Sequence, residues 1–354
     1  MKISFFIGRM AGGGAEKVIT ILANHFIEKG DDVDLVLLLG PEVNYDLYPL
    51  NSKIRIVDLS NDGGYLSNSI RWIKSIRGYV KSYNPDKIVS FIGRINALVL
   101  TATIGLNVPV LVSERNDPRR DGRSKLMLLF CDFIYRRASA IVFQTNYQKN
   151  CFSSYVKKNS FIIPNPVENP NIEEGVSNPF LVATAGRLQP VKNHQMLIKA
   201  IGIVKNTIPQ VKCIIYGEGI LYDSLLKQIE YAGLQDTVYL AGKKTKVVKD
   251  IAKASVFVMT SEYEGLSNAL MEAMMLGKTC ISTDYDGIED LIAQGENGII
   301  VPRNNAEKLA EVLIDVIKDS DHKYHLLGEK AHKKMLGYTF NAILNIWDNV
   351  ISRI

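Results

Sequence analysis

Along the chain, short runs of apolar residues alternate with longer stretches whose apolar positions recur every three to four residues. Ile3–Ile7, Val33–Leu39, Ile54–Leu59, Lys87–Phe91, Val108–Ser113, Ala140–Gln144 and Ser160–Ile163 read as strands. Between them, Ala15–Lys29, Leu66–Ser82, Ile95–Gly105, Lys125–Arg137 and Tyr147–Val156 have helical periodicity; Val18, Leu22 and Phe26 share one face of the first. Strands that are apolar throughout and separated by helices predict a parallel sheet covered on both faces. The pattern breaks at 164–179, PNPVENPNIEEGVSNP, where four prolines fall among Asn, Glu and Gly. It then restarts. Leu181–Ala185, Val211–Tyr216, Val238–Ala241, Val256–Thr260 and Cys280–Thr283 are predicted strands. His194–Asn206, Leu221–Ala232, Asn268–Leu276, Ile288–Ala293, Ala306–Lys318 and His322–Met335 are predicted helices, and Phe340–Ile354 carries Ile343, Ile346, Trp347 and Val350 at helical spacing. The expected fold is α/β: doubly wound domains at 1–165 and 180–336, a linker at 166–179, and a last helix within 337–354. Ligands of such sheets sit beyond the carboxyl ends of the strands, which points to a cleft between the domains.

The chemistry concentrates in SEYEGLSNALMEAMMLG, residues 261–277. Glu264 lies in a loop, followed by Gly265 and Leu266. Ser267 and Asn268 are N-cap candidates for the next helix, and Glu272 falls about two turns in. The free amides of the first turn face the same space as Glu264, an anion site between two carboxylates. A ligand bearing both phosphate and hydroxyl groups, such as a nucleotide-sugar, meets that demand. Arg187 and Lys192 in AGRLQPVKNH follow a strand and supply two cations suited to a diphosphate. Alone they would read as surface cations; beside the 264–272 element they read as a site. Gly13 and Gly14, in a glycine run between a strand and a helix, let a ligand approach the backbone, although the GxGxxG spacing is not met. Gly217 in YGEG and Gly242-Lys243 end two further strands, and serve either as backbone contacts to a base or ribose or as plain turns. In SERNDP, residues 113–118, Glu114 or Asp117 either orients an acceptor hydroxyl or belongs to a capped loop. The Asp-x-Asp pairs Asp32/Asp34 and Asp284/Asp286 are common by chance, and metal use is not expected. His25, His322, His325 and His332 read as ordinary helix residues, and His194 stands near the phosphate site.

The net charge of +5 is mild, so any functional basicity must be local. The four cysteines form no CxxC pair, which argues against zinc or a disulfide framework and for a reducing compartment. No apolar run reaches membrane-spanning length, and the N-terminus reads as a strand rather than a signal peptide. Two stretches combine cations with apolar residues. Arg71, Lys74, Arg77 and Lys81 recur along one predicted helix, and Arg119, Arg120, Arg123 and Lys125 precede LMLLFCDFIYRR. Such amphipathic stretches suit an anionic membrane surface; the plain alternative is a solvated helix face. No nucleic-acid motif accompanies them.

With EGLSNALMEA carrying Glu264 and Glu272, and with AGRLQPVKNH, YGEG, DGIEDLIAQGENGIIVP and the early GGGAEK in the same order, nearly the whole chain resembles the retaining GT-B glycosyltransferases of family 4. The resemblance implies two Rossmann-like domains and a C-terminal helix, around Trp347, returning to the first. It implies that Arg187 and Lys192 bind the donor diphosphate, Glu272 the ribose hydroxyls, and Glu264 the donor sugar. Gly13 and Gly14 would line the acceptor side. It also implies a metal-independent, retaining transfer without an enzymic nucleophile. Where many relatives place a histidine, this chain has SERNDP, which leaves the role of Glu114 open and is similar to a subset acting on lipid-linked saccharides. The expectation is therefore a UDP-sugar-dependent hexosyl- or N-acetylhexosaminyltransferase, cytoplasmic and peripheral on the inner membrane face, acting on a polyprenyl-diphosphate-linked saccharide. A nucleotide-sugar epimerase or hydrolase on the same fold, or a silent partner of another transferase, are the rivals.

Overall fold

The structure, a computed structural model, describes residues 1–10, 12–45, 49–60, 65–170, 177–244, 247–319 and 323–354. Two predictions therefore fall partly outside it: His322, and 171–176 of the linker. The chain divides into two compact units, Met1–Pro166 with Asn341–Ile354, and Val167–Phe340.

The first unit runs β1 (Lys2–Ile7), α1 (Gly14–Glu28), β2 (Asp32–Leu37), β3 (Arg55–Asp58), α2 (Tyr65–Tyr83), β4 (Lys87–Phe91), α3 (Gly93–Ala102), β5 (Val110–Ser113), α4 (Lys125–Ile134), β6 (Ala140–Phe143), α5 (Asn146–Asn150), α6 (Ser154–Lys158) and β7 (Ser160–Ile162). Its sheet is parallel, in the order β3-β2-β1-β4-β5-β6-β7. Alternate residues of β1 feed opposite faces, as strand geometry requires. Phe5 joins Val18, Leu22 and Phe26 of α1, whereas Phe6 joins Trp72 and Ile76 of α2. Both faces are covered, so β1 is buried except at Lys2.

The C-terminal helix (Phe340–Arg353) packs into this same unit. Ile343, Trp347, Val350 and Ile351 enter the α1 side of the core. Trp347 stacks on Phe91 at 6.1 Å between centroids, and Asp348 pairs with His25 at 3.1 Å and Lys29 at 2.9 Å. His25 is thus a partner of the last helix rather than a bystander on its own.

The second unit runs β8 (Asn178–Ala185), α7 (His194–Thr207), β9 (Lys212–Tyr216), α8 (Tyr222–Tyr231), β10 (Val238–Leu240), α9 (Val247–Ile251), β11 (Ala254–Met259), α10 (Asn268–Met275), β12 (Thr279–Thr283), β13 (Ile299–Val301), α11 (Ala306–Ile317) and α12 (His325–Met335). Its parallel sheet has the order β10-β9-β8-β11-β12-β13. Two predicted helices differ. The stretch 147–156 is broken into α5 and α6 because Thr145 caps one, while Asp132 accepts from the Ser153 amide at 2.6 Å before the other. The stretch 288–293 holds only a single 3-10 turn, Ile288–Asp290. The buried Asn297 side chain accepts from Ala293 N and donates to Leu291 O, closing a loop instead. The short elements α9 and β13 were not predicted.

Candidate active site

In the second unit the connections run from β8 outward through β9 to β10, and then jump to the other side of β8 for β11, β12 and β13. The strand order reverses between β8 and β11. In open parallel sheets ligands bind beyond the carboxyl ends of two such strands. The loop after β8 carries Arg187 and Lys192; the loop after β11 carries Glu264.

These two loops are laced together. The Thr260 hydroxyl donates to Lys192 O at 2.9 Å, and the Glu262 amide donates to Val191 O at 2.8 Å. The Lys192 ammonium pairs with the Glu264 carboxylate, and the Ser261 hydroxyl donates to the same oxygen at 2.7 Å. Both members of that pair are mostly shielded, at 16% and 15% side-chain exposure. The cation is therefore held in place rather than swinging in solvent. Gly186 makes room for it: a Cβ there would stand 3.3 Å from the Lys192 stem. Arg187 is exposed, and its guanidinium has no hydrogen bond or ion pair among the described residues. Ser267 caps α10 by accepting from Leu270 N, and Glu272 lies half-buried farther along that helix. Gly265 and Leu266 complete the loop and are half-buried.

Asn193 was not singled out from sequence, yet it anchors the arrangement. It sits in the left-handed region at φ 45° and caps α7 by accepting from Met196 N. Its amide donates to Glu262 at 2.7 Å and to Asn304 at 2.9 Å. An asparagine between a phosphate-loop lysine and a helical run was the available signal. His194, next to it, is buried, and among the described residues neither ring nitrogen has a hydrogen-bond partner of good geometry. Burial, helped by the Lys192 charge, pushes its pKa down to about 4, so it is neutral near pH 7.

Gly217 has a packing reason independent of any ligand. Its φ is 149°, and a Cβ there would fall 1.9 Å from the Gly186 carbonyl oxygen. The loops after β8 and β9 thus approach backbone to backbone. Gly242 accepts from Gly217 N at 2.9 Å, and Lys243 is exposed beside it. Of the acidic pairs, Asp34 is buried and bound by Arg55 and Tyr79, while Asp284 holds Arg303 at 3.1 Å. Among the described residues no group of three or more His, Cys, Asp or Glu is arranged to hold a metal ion.

In the first unit the strand order reverses between β1 and β4. Gly13 and Gly14 stand after β1, at the start of α1. After β4, Ile92 adopts φ 75°, a strained conformation for a β-branched residue and one that no sequence pattern announces. Glu114 requires a correction. Its side chain has no exposure; it forms a bidentate pair with Arg123 at 2.8 and 3.0 Å and accepts from Tyr135. Burial works against the Arg123 charge, and Glu114 more than offsets it, so the Arg123 pKa is raised. Glu114 is a buried counter-ion, leaving no carboxylate oxygen to face an acceptor. Arg123, equally buried, is removed from the predicted membrane-facing set. So is the Arg77 guanidinium, which donates to Ala102 O and Ile104 O at the end of α3. Arg71, Lys74 and Lys81 are exposed on α2, and Arg119 and Arg120 on the loop before α4.

Comparison with known proteins follows the same division. Residues 12–169 match the family model described as Glycosyltransferase Family 4, and residues 168–334 the model described as Glycosyl transferases group 1. The chain is 26% identical to the Campylobacter jejuni GalNAc-alpha-(1->4)-GalNAc-alpha-(1->3)-diNAcBac-PP-undecaprenol alpha-1,4-N-acetyl-D-galactosaminyltransferase, over 100% of this chain and 99% of that one. Among solved structures, Anabaena HepE in complex with UDP superposes with a TM-score of 0.85 at 19% identity, each chain fully covered. A mutant of Staphylococcus aureus TarM, solved with UDP, gives 0.77 at 15% identity over 99% of both chains. These two show the fold: a pair of parallel-sheet, Rossmann-like domains of the GT-B type. With consecutive models together spanning residues 12–334, the chain belongs to the glycosyltransferases of group 1 and family 4.

Proposed function

We propose that this glycosyltransferase moves a hexose or N-acetylhexosamine from a UDP-sugar to a polyprenyl-diphosphate-linked saccharide, retaining the anomeric configuration and using no metal. The observation that carries the reading is what gathers at the carboxyl ends of β8 and β11, where the strand order reverses: an exposed Arg187, a pre-positioned Lys192–Glu264 pair and the capped start of α10. Departure of a nucleoside diphosphate builds negative charge on phosphate oxygens. Fixed cations stabilise that charge most when they need not reorganise. Arg187 would clamp the diphosphate by its fork and Lys192 would add a compact charge, which supports transfer without a metal. Glu272 would take the ribose hydroxyls, and Glu264 would meet the donor sugar, exchanging part of its Lys192 contact for a sugar hydroxyl. Gly242 and Lys243 would lie beside the base. Gly13 and Gly14 would face the acceptor. No side chain in this set is an obvious nucleophile, which fits a front-face reaction in which a donor phosphate oxygen takes the acceptor proton.

The C. jejuni relative is named for an undecaprenol-diphosphate-linked acceptor, and HepE was solved with UDP. Both support the proposed donor and acceptor classes, and with them a peripheral site at the inner membrane face in surface-glycan assembly. The direct test incubates the protein with UDP-sugars and a polyprenyl-diphosphate disaccharide, and determines the new linkage by proton NMR. An α-linked product from an α-linked donor is expected. A β-linked product overturns retention, and isomerised UDP-sugar without transfer overturns the transferase assignment in favour of an epimerase.

A further inference from the structure

Helix α4 shows its apolar side to solvent. Leu126, Leu129, Phe130 and Phe133 are 78%, 66%, 42% and 63% exposed. At i, i+3, i+4 and i+7 they fall on one face, opposite the buried Cys131. A helix covering a sheet normally turns polar residues outward. Here the inward side is already occupied by Cys131 and Ile134 in the core, so the outward residues are not needed for packing. Clustered exposed apolar side chains mark an interaction surface. The surrounding charge is of one sign. Arg119, Arg120 and Lys125 are exposed at the start of the helix, and Arg136 and Arg137 at its end. Asp132, the one acidic residue in α4, is turned away: it accepts from the Ser153 amide and lies 4.0 Å from Arg136. The half-exposed Tyr155 ring sits under Arg136 at 5.5 Å, an amphipathic side chain at the rim of the patch.

We propose that α4 is an interfacial helix whose Leu126, Leu129, Phe130 and Phe133 face enters the acyl boundary of an anionic bilayer, with Arg119, Arg120, Lys125, Arg136 and Arg137 on the headgroups. An apolar strip four residues wide suits shallow insertion, and its cationic frame suits phosphate-bearing lipids better than a neutral partner surface. Among the described residues no helix is long and apolar enough to cross a membrane, so contact at the surface is the mode this helix offers. The inference rests on the proposed membrane-linked acceptor for its purpose, but not for its physics. Of the two stretches the sequence suggested, it narrows the contact to the second, at α4; in the first, on α2, Arg77 is engaged internally. It also sets the patch beside the loop that follows β5, at the carboxyl end of the first sheet.

The test uses the full chain, with vesicles of phosphatidylglycerol and phosphatidylcholine against vesicles of phosphatidylcholine alone. Sedimentation is expected with the anionic vesicles and to fall steeply with salt. The double variant Leu129→Glu/Phe133→Glu is expected to lose at least ~10-fold in vesicle affinity, from side-chain transfer energies. Its melting temperature and its response to UDP should stay unchanged, since both side chains are exposed. A separate Leu129→Trp variant should show a blue-shifted emission on anionic vesicles. Unaltered vesicle binding by the double variant, or emission that does not move, overturns the proposal. So does a wild-type dimer that the double variant dissociates, because that would assign the face to a second copy of the chain. Loss of the UDP response in every protein, wild type included, would instead count against the donor assignment and leave the α4 result standing.

Discussion

Neutral His194 makes a prediction that joins stability to the phosphate loop. In the unfolded chain its pKa is the ordinary 6.5; in the fold it is held at about 4 by burial and by Lys192. The unfolded state therefore binds more protons between those values, and stability falls as pH falls. The contribution is intact above pH 6.5 and is lost progressively as pH drops towards 4. The difference of about 2.5 units corresponds to roughly 3 kcal/mol in total, of which about 2 kcal/mol is lost between pH 7 and pH 5. The perturbation is His194→Gln, which removes the titration while keeping a polar side chain of similar reach. Urea unfolding of both proteins, followed at pH 7, 6 and 5 by a probe in the second unit, isolates the term. The stability gap between wild type and variant should shrink by about 2 kcal/mol on going to pH 5, a shift of some 4–8 °C in melting temperature for a unit of this size. A gap that stays constant with pH would show that His194 takes up its proton in the fold as readily as in the unfolded chain, and the burial argument would fail.

Three further outcomes follow from the packing. Glu114→Gln should destabilise the first unit by roughly 3–5 kcal/mol, because it leaves Arg123 charged and buried without its counter-ion; thermal melting that is little changed would restore Glu114 as a candidate for acceptor contact. Trp347→Ala should cost about 3–5 kcal/mol by opening a cavity against Phe91, and calorimetry should show the loss in the first unit, with which the last helix packs. Gly217→Ala should impair the second unit, since its new methyl would collide with the Gly186 carbonyl. A variant with wild-type UDP response and melting temperature would refute that close approach.

The two sheets could be read from the sequence because buried parallel strands are apolar throughout and their helices carry a clear period. Phe5 and Phe6 show why: each serves a different face, so neither could be polar. Short pieces were harder. β13 has three residues and α9 five, too few for a period to register. The 288–293 stretch looked helical because nothing local revealed that Asn297 would claim its backbone groups. In the candidate site, Glu264 and Lys192 were legible as charged groups of one site, but their ion pair was not; it follows from the strand order, which sets their loops side by side. The role of Glu114 stayed open because its partner, Arg123, lies nine positions away, and only the fold brings Gly93, Arg123 and Tyr135 around it. Ile92 carries no signal at all: the turn between β4 and α3 imposes a positive φ that its β-branched side chain does not favour.

The central claim is that the loops at the carboxyl ends of β8 and β11, with α10, hold a nucleoside diphosphate through Arg187, Lys192 and Glu272. The measurement closest to it is the thermal shift of wild type, Arg187→Ala and Glu272→Ala across UDP, GDP and UDP-sugars. Saturating ligand at about 100 times its dissociation constant should stabilise the wild type by about 2.7 kcal/mol. The account predicts that UDP ligands raise the wild-type transition, that both variants lose most of that rise, and that the exposed Arg187→Ala keeps the ligand-free melting temperature. Equal stabilisation of all three proteins would contradict it.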